Sequence, residues 1–195
     1  DENSTMSNEM FSLMAKQYVG FNPDSIISLT PTVGDPLVDK DVFKKVAMAK
    51  EYGIKRVQFY TNAILLKRRL AEVLAAPLDN LEISIADFDK DEFEAIFRVN
   101  RYGAALEGIH LLLKALKERK SALPVNINLR HRRPLDVIFR SSDYEDFIEP
   151  YVTERISFSN TDTFDNWMGM IKQEDLLAGM RLRAFQRSRQ PASTF

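Results

Sequence analysis

Four short stretches of the chain combine residue types that could hold or activate a ligand. Gly34-Asp35-Pro36 sets a carboxylate between a glycine, which lets the backbone approach a ligand, and a proline, which stiffens the turn that follows. That carboxylate can accept hydrogen bonds from an ammonium group, although Gly-Asp-Pro is also an ordinary turn sequence. Asn62, directly after Phe59-Tyr60-Thr61, can bond a ligand or cap a helix beginning near Ile64. Asn126 and Asn128 are spaced by two within an apolar run, so they share one face of a strand and need polar partners there. Arg130-His131-Arg132-Arg133 follows them as a solvated basic loop or as a seat for an anionic substrate or a partner's phosphate. His131 has no carboxylate close in sequence to orient it as a general base, which favours the loop role. Asp35, Asp87 and Asp162 open a different chemistry, Mg²⁺-dependent hydrolysis, if the three carboxylates converge.

Composition removes other classes. The 195 residues include no Cys and only two His, so this polypeptide cannot form disulfides, act through a thiolate, or ligate zinc or an iron–sulfur cluster by Cys. A net charge of −1 gives no field for nucleic acid or an anionic membrane. Arg181, Arg183, Arg187 and Arg189 read as a basic terminus rather than a nucleic-acid site. No apolar run approaches the roughly 20 residues of a membrane helix and no signal peptide opens the chain, so a cytoplasmic location is expected. The chain opens on Asp1 and closes on Ser188–Phe195, which lacks apolar periodicity. We therefore expect an internal piece of a longer protein, with residues 1–170 as a core and 171–195 as a tail.

These residues must be positioned by alternating elements. Phe11, Met14, Ala15 and Tyr18 recur at helical spacing, which predicts a helix over residues 6–19. Ile26–Leu29 is a short strand, and Asp39 is placed to cap a helix carrying Val42, Phe43, Val46 and Ala49, stopped at Gly53. Val57–Tyr60, Leu81–Ile85, Val125–Leu129 and Arg155–Phe158 read as further strands, separated by helices around Leu65–Leu74, Phe93–Phe97, Leu106–Leu116 and Asp143–Ile148. Strand alternating with helix predicts an α/β fold of parallel strands joined by right-handed crossovers. About five strands are too few for a closed barrel, leaving a partial (β/α) barrel or an open doubly wound sheet. Either fold binds ligands at the carboxyl ends of its strands, where the candidate residues fall.

The strand ends, taken in order, resemble the core of radical S-adenosylmethionine (radical SAM) enzymes. Val33-Gly34-Asp35-Pro36 resembles the family's Gly-Gly-Glu-Pro, which holds the amino group of the methionine moiety; Val33 and Asp35 depart from that pattern. Tyr60-Thr61-Asn62-Ala63 resembles its Thr-Asn-Gly, and Ile83-Ser84-Ile85-Ala86-Asp87 its Ile-Ser-Leu-Asp-Gly. The resemblance implies that Ser84 lies near the cofactor's carboxylate or ribose, and that Arg98, ending a helix in the family's Ile-Arg manner, pairs the carboxylate. In a partial barrel the face that carries Asn126 and Asn128 is the wet interior, where the two can bond ribose or substrate. Asn166-Trp167-Met168-Gly169 resembles the segment leading into an auxiliary SPASM-type domain. The implied cofactors are S-adenosylmethionine (SAM) and a [4Fe–4S] cluster, the latter not bindable by a chain without Cys. The implied reaction, needing an external reductant, is hydrogen abstraction by a 5′-deoxyadenosyl radical, with a peptide or protein as substrate. A nucleoside-binding or scaffold relative without a cluster is the alternative to the enzyme, beside the Mg²⁺ hydrolase.

Overall fold

A computed structural model describes residues 5–31, 34–131, 133–160, 163–164, 172–175 and 181–182. Helix α1 spans Asn8–Phe21, capped by the Ser7 hydroxyl, which accepts from the Met10 N–H. Strand β1, Ile26–Ser28, leads through a single 3₁₀ turn at Pro36–Val38 into α2, Val42–Glu51. Asp39, expected to cap α2, caps the turn before it instead: its Oδ1 accepts from the Asp41 N–H, and the helix begins at Val42. Gly53, at φ +92°, ends the helix in the left-handed conformation that suits glycine.

There follow β2 (Arg56–Thr61), α3 (Leu66–Ala75), β3 (Asn80–Ile85), α4 (Lys90–Phe97) and α5 (Tyr102–Glu118). Beyond these come β4 (Val125–Leu129), the short helices α6 (Leu135–Ile138) and α7 (Ser142–Phe147), and β5 (Ile156–Asn160). A separate parallel pair joins β6 (Thr163–Phe164) to β7 (Arg181–Leu182).

The five main strands are all parallel and stand in sequence order, β1-β2-β3-β4-β5. That order decides between the two expected architectures. A doubly wound sheet reverses its strand order to place helices on both faces; an unreversed order with right-handed crossovers keeps them on one face, as in a barrel. The strands accordingly have one apolar side. Ile27, Val57, Phe59, Leu81, Ile83, Ile85, Val125, Ile127, Leu129 and Ile156 are buried there in the core that also takes Val46, Leu66, Ile109, Leu112 and Leu113.

Two close fits bring the helical layer onto the strand ends. Gly108 of α5 lies against the exit of β2, where a Cβ would come within 2.7 Å of the Ala63 carbonyl oxygen. Any side chain there would drive α5 away from α3. Tyr102, at the start of α5, donates from its hydroxyl to Asp143 at 2.6 Å and so ties α5 to α7. Among the described residues no helix is long and apolar enough to cross a membrane.

Candidate functional site at the strand ends

The opposite side of the sheet is polar, which is unusual for parallel strands, since these are ordinarily covered on both faces. Register arranges its side chains in rungs. Ser28, Gln58 and Asn80 form the lowest; Tyr60, Glu82, Asn126 and Ser157 the next; Ser84, Asn128 and Ser159 the one nearest the strand exits. The period of two within each strand sends these residues to the face away from the helices. The result is an open surface of hydroxyls and amides, crossing all five strands.

The middle of this surface is bonded together. Glu82 accepts from the Asn80 amide at 2.7 Å and from the Asn126 amide at 2.6 Å. Asn126 also donates to Ser159 Oγ at 2.8 Å and accepts from the Ser157 hydroxyl at 3.1 Å; Asn128 donates to Ser159 Oγ at 2.9 Å. The desolvation cost of two asparagines in an apolar run is thus offset by partners on the neighbouring strands. Burial, with the Glu82 charge next in size, pushes the Tyr60 phenol above its usual range, while Arg130 partly opposes that rise.

Ser84 differs from its neighbours. It is 7% exposed, and among the described residues its hydroxyl has no hydrogen-bond partner. A buried hydroxyl without a partner costs about 1–3 kcal/mol, so a ligand that bonded it would recover that penalty.

The loop after β1 is held rigidly to β2. Asp35, 8% exposed, accepts three hydrogen bonds: from the Leu37 N–H at 2.9 Å, the Thr61 hydroxyl at 2.8 Å and the Asn62 N–H at 2.7 Å. A carboxylate offers about four acceptor directions, so roughly one is left for a ligand. Gly34 precedes it at φ +99°, with open space where a Cβ would stand, so glycine is required there by backbone conformation and not by crowding. Pro36 opens the 3₁₀ turn as a buried residue. From below, the Arg69 guanidinium donates to the carbonyls of Leu37 (2.9 Å) and Asp39 (3.1 Å), while buried Lys45 pairs with Asp39. Asn62 uses its side-chain oxygen on the Ile64 N–H at 3.1 Å; it caps the turn after β2, and α3 starts only at Leu66. Ala63 takes φ +64° at the position where the sequence pattern has glycine.

The structure therefore brings Gly34, Asp35, Pro36 and Asn62 into one clamp, and sets Ser84 beside Asn128 on the polar face. It does not bring Arg98 to either group. Arg98 is the exposed left-handed cap of α4, at φ 56°. Asp87 is fully buried at the exit of β3 and receives Arg133 in a two-pronged pair at 2.8 and 2.6 Å. Asp35 is bonded to backbone and Thr61, and Asp87 to the Arg133 guanidinium, so the two carboxylates do not converge on a shared metal position. No group of three His, Cys, Asp or Glu able to hold a metal occurs among the described residues, and Asp162 lies outside them. His131 Nδ1 lies 2.6 Å from the carbonyl oxygen of Arg133, two residues on, which ties the ring to its own loop.

Sequence reasoning passed over Glu82 and Tyr60, and did not single out Ser157 or Ser159. The signal was present, because Asn80/Glu82/Ser84 and Ser157/Ser159 repeat the two-residue spacing of Asn126/Asn128. The segment Asn166–Gly169 lies outside the described residues, as do Arg183, Arg187 and Arg189. A separate hollow lined by Lys117, Lys120, Ser121 and Arg155 opens at the amino ends of the strands and holds none of the candidate residues.

Residues 4–129 match the model of the radical SAM superfamily. A probable GTP 3′,8-cyclase of Sulfurisphaera tokodaii is 31% identical over 112 residues, covering 57% of this chain and 35% of that protein. A GTP 3′,8-cyclase of Heliobacterium modesticaldum is 39% identical over 85 residues, or 43% and 26% of the respective chains. The matched stretches thus span between 26% and 43% of the length of the curated relatives. The same fold occurs in anSMEcpe with bound AdoMet, at a TM-score of 0.52 and 13% identity over 82% of this chain and 44% of the other. A second structure, with AdoMet and the Kp18Cys peptide, gives 0.54 at 14% identity with the same coverage. By fold and by sequence, the chain belongs to the radical SAM superfamily.

Proposed function

We propose that these residues form the SAM-binding part of a radical SAM core. The observation that carries this reading is Ser84, a buried hydroxyl without a partner on the one open polar face of a parallel sheet. The Gly34-Asp35-Pro36 turn and Asn62 bound the methionine end of the ligand, and Ser84 with Asn128 its carboxylate or ribose side. Asp35 acts mainly by fixing the backbone on both sides of itself, so the Gly34 peptide can approach the ligand closely.

A [4Fe–4S] cluster does not fit the residues present, because its thiolate ligands have no counterpart in a chain without Cys. Radical generation is therefore assigned to a protein that supplies those thiolates from other sequence, with this stretch contributing position and shielding. GTP is the first substrate to test, since the relatives at 31% and 39% identity carry that name. Peptide or protein modification, with an auxiliary SPASM-type domain, is the reading that rests on Asn166–Gly169.

The test is titration of the chain with SAM, followed by amide chemical shifts. We expect saturable shifts at Gly34, Asn62 and Ser84, and several-fold weaker binding by Ser84→Ala. Absence of saturable SAM binding by the unsubstituted chain would remove the proposal. The absence of Cys favours a second reading, a relative without a cluster that binds a nucleoside only. The natural full-length protein separates the two: iron–sulfur absorbance after reconstitution supports the enzyme, and its absence supports the binding module.

A further inference from the structure

Arg130 is the first residue past β4, and its N–H donates to the Ile85 carbonyl at 2.9 Å, so it continues the ladder with β3. Positions 126, 128 and 130 then fall on the same side of the strand, which places the Arg130 side chain on the polar face above Asn128. Ser84 stands beside Asn128 in register. Tyr60 lies on the same face, close enough for its charge to act on the Arg130 guanidinium, which burial pulls below its usual value. The register thus places Arg130, Ser84 and Asn128 at neighbouring positions on one face, at the exit of the central strands.

We infer that Arg130 and Ser84 form an oxyanion-binding subsite on the inner face of the sheet, and that Arg130, not Arg98, is the cation facing the anionic end of the bound ligand. A guanidinium and a hydroxyl offer several N–H donors and one O–H donor, which match a carboxylate or phosphate and not a cation. The acidic group on the same face sets polarity. Glu82 lies one rung deeper and is occupied by the Asn80 and Asn126 amides, so it repels an anion from the floor and favours it at the exit. Arg98 is exposed at the end of α4 and shares no hydrogen bond with this group.

This assignment rests on the SAM-binding reading for one of its two ligand sources, the methionine carboxylate; the other is the phosphate of a nucleotide substrate. Three probes separate them on the full chain: SAM, 5′-deoxyadenosine, which lacks the carboxylate, and inorganic tripolyphosphate. Arg130→Gln is expected to weaken SAM about tenfold, in line with loss of a charge-assisted bond, and to leave 5′-deoxyadenosine unchanged. Arg98→Ala is expected to change neither. If Arg130→Gln weakens tripolyphosphate while SAM is unaffected, the subsite stands and its ligand is the substrate phosphate. Arg130→Lys, which keeps the charge on the face, guards against a folding defect and should retain part of the affinity. Equal binding of SAM and of tripolyphosphate by Arg130→Gln and the unsubstituted chain overturns the inference, as does a loss of SAM binding that follows Arg98→Ala instead. Failure of the unsubstituted chain to bind SAM, with tripolyphosphate binding still dependent on Arg130, counts against the SAM reading alone.

Discussion

At the scale of single residues, Asp35 shows how a candidate binding residue is also a structural part. Its carboxylate accepts from Leu37, Thr61 and Asn62, so it fastens the loop after β1 to the exit of β2 before any ligand arrives. Asp35→Ala leaves those donors without their acceptor in a buried place, and we expect a loss of about 2–3 kcal/mol in urea unfolding. A loss below the error of that measurement would mean that water replaces the carboxylate. The motif was legible in sequence as glycine, acid and proline. What sequence could not show is which of its atoms remain for a ligand, because Thr61 lies 26 residues away. Ser84 has the same lesson in reverse: its residue type was readable from the pattern, but its missing partner depends on what Asn128 and Ser159 do with their own donors.

At the scale of elements, the helices hold the strand exits in place through a few polar ties. The Tyr102 hydroxyl donates to Asp143, and burial, reinforced by that bond and charge, drives its pKa far above the usual phenol value. The folded chain therefore keeps the Tyr102 proton at pH values where the unfolded chain has lost it. Stability from this group is complete below pH about 10 and falls as pH rises beyond it, by up to about 1.4 kcal/mol per pH unit. Unfolding measured between about pH 9 and 11.5 should show this decline in the native sequence, and Tyr102→Phe should flatten it by roughly one proton's worth. An identical slope in both proteins would assign the decline to other groups. The elements were well legible: strand and helix positions follow from apolar spacing and from Gly53. The start of α2 was not, because the Asp39 carboxylate is taken by the Lys45 side chain and the Asp41 N–H rather than by the backbone of the first helical turn.

At the scale of the whole molecule, a sequential parallel sheet has one apolar and one polar face, and two unlike edges. β3 is central and bonded on both sides, whereas among the described residues β1 has a partner only in β2. The Leu29 N–H reaches β2, so the Ile26 and Ser28 N–H groups point along the open edge. Hydrogen exchange should therefore be much slower at Ile83 than at Ser28, and comparable protection at the two would show that the β1 edge is covered. The sequence by itself determined the alternating parallel α/β order, the family resemblance at the strand ends and the inability of this polypeptide to hold an iron–sulfur cluster, because these depend on residue type and local spacing. Only the tertiary structure decided that the sheet is wound on one side, that Asp35 and Asp87 are already engaged, and that Ser84 stands beside Asn128 while Arg98 is the exposed cap of α4. The physical reason is register: spacing within a strand fixes the face of each residue, but which side chains meet across strands is set by how distant segments pair.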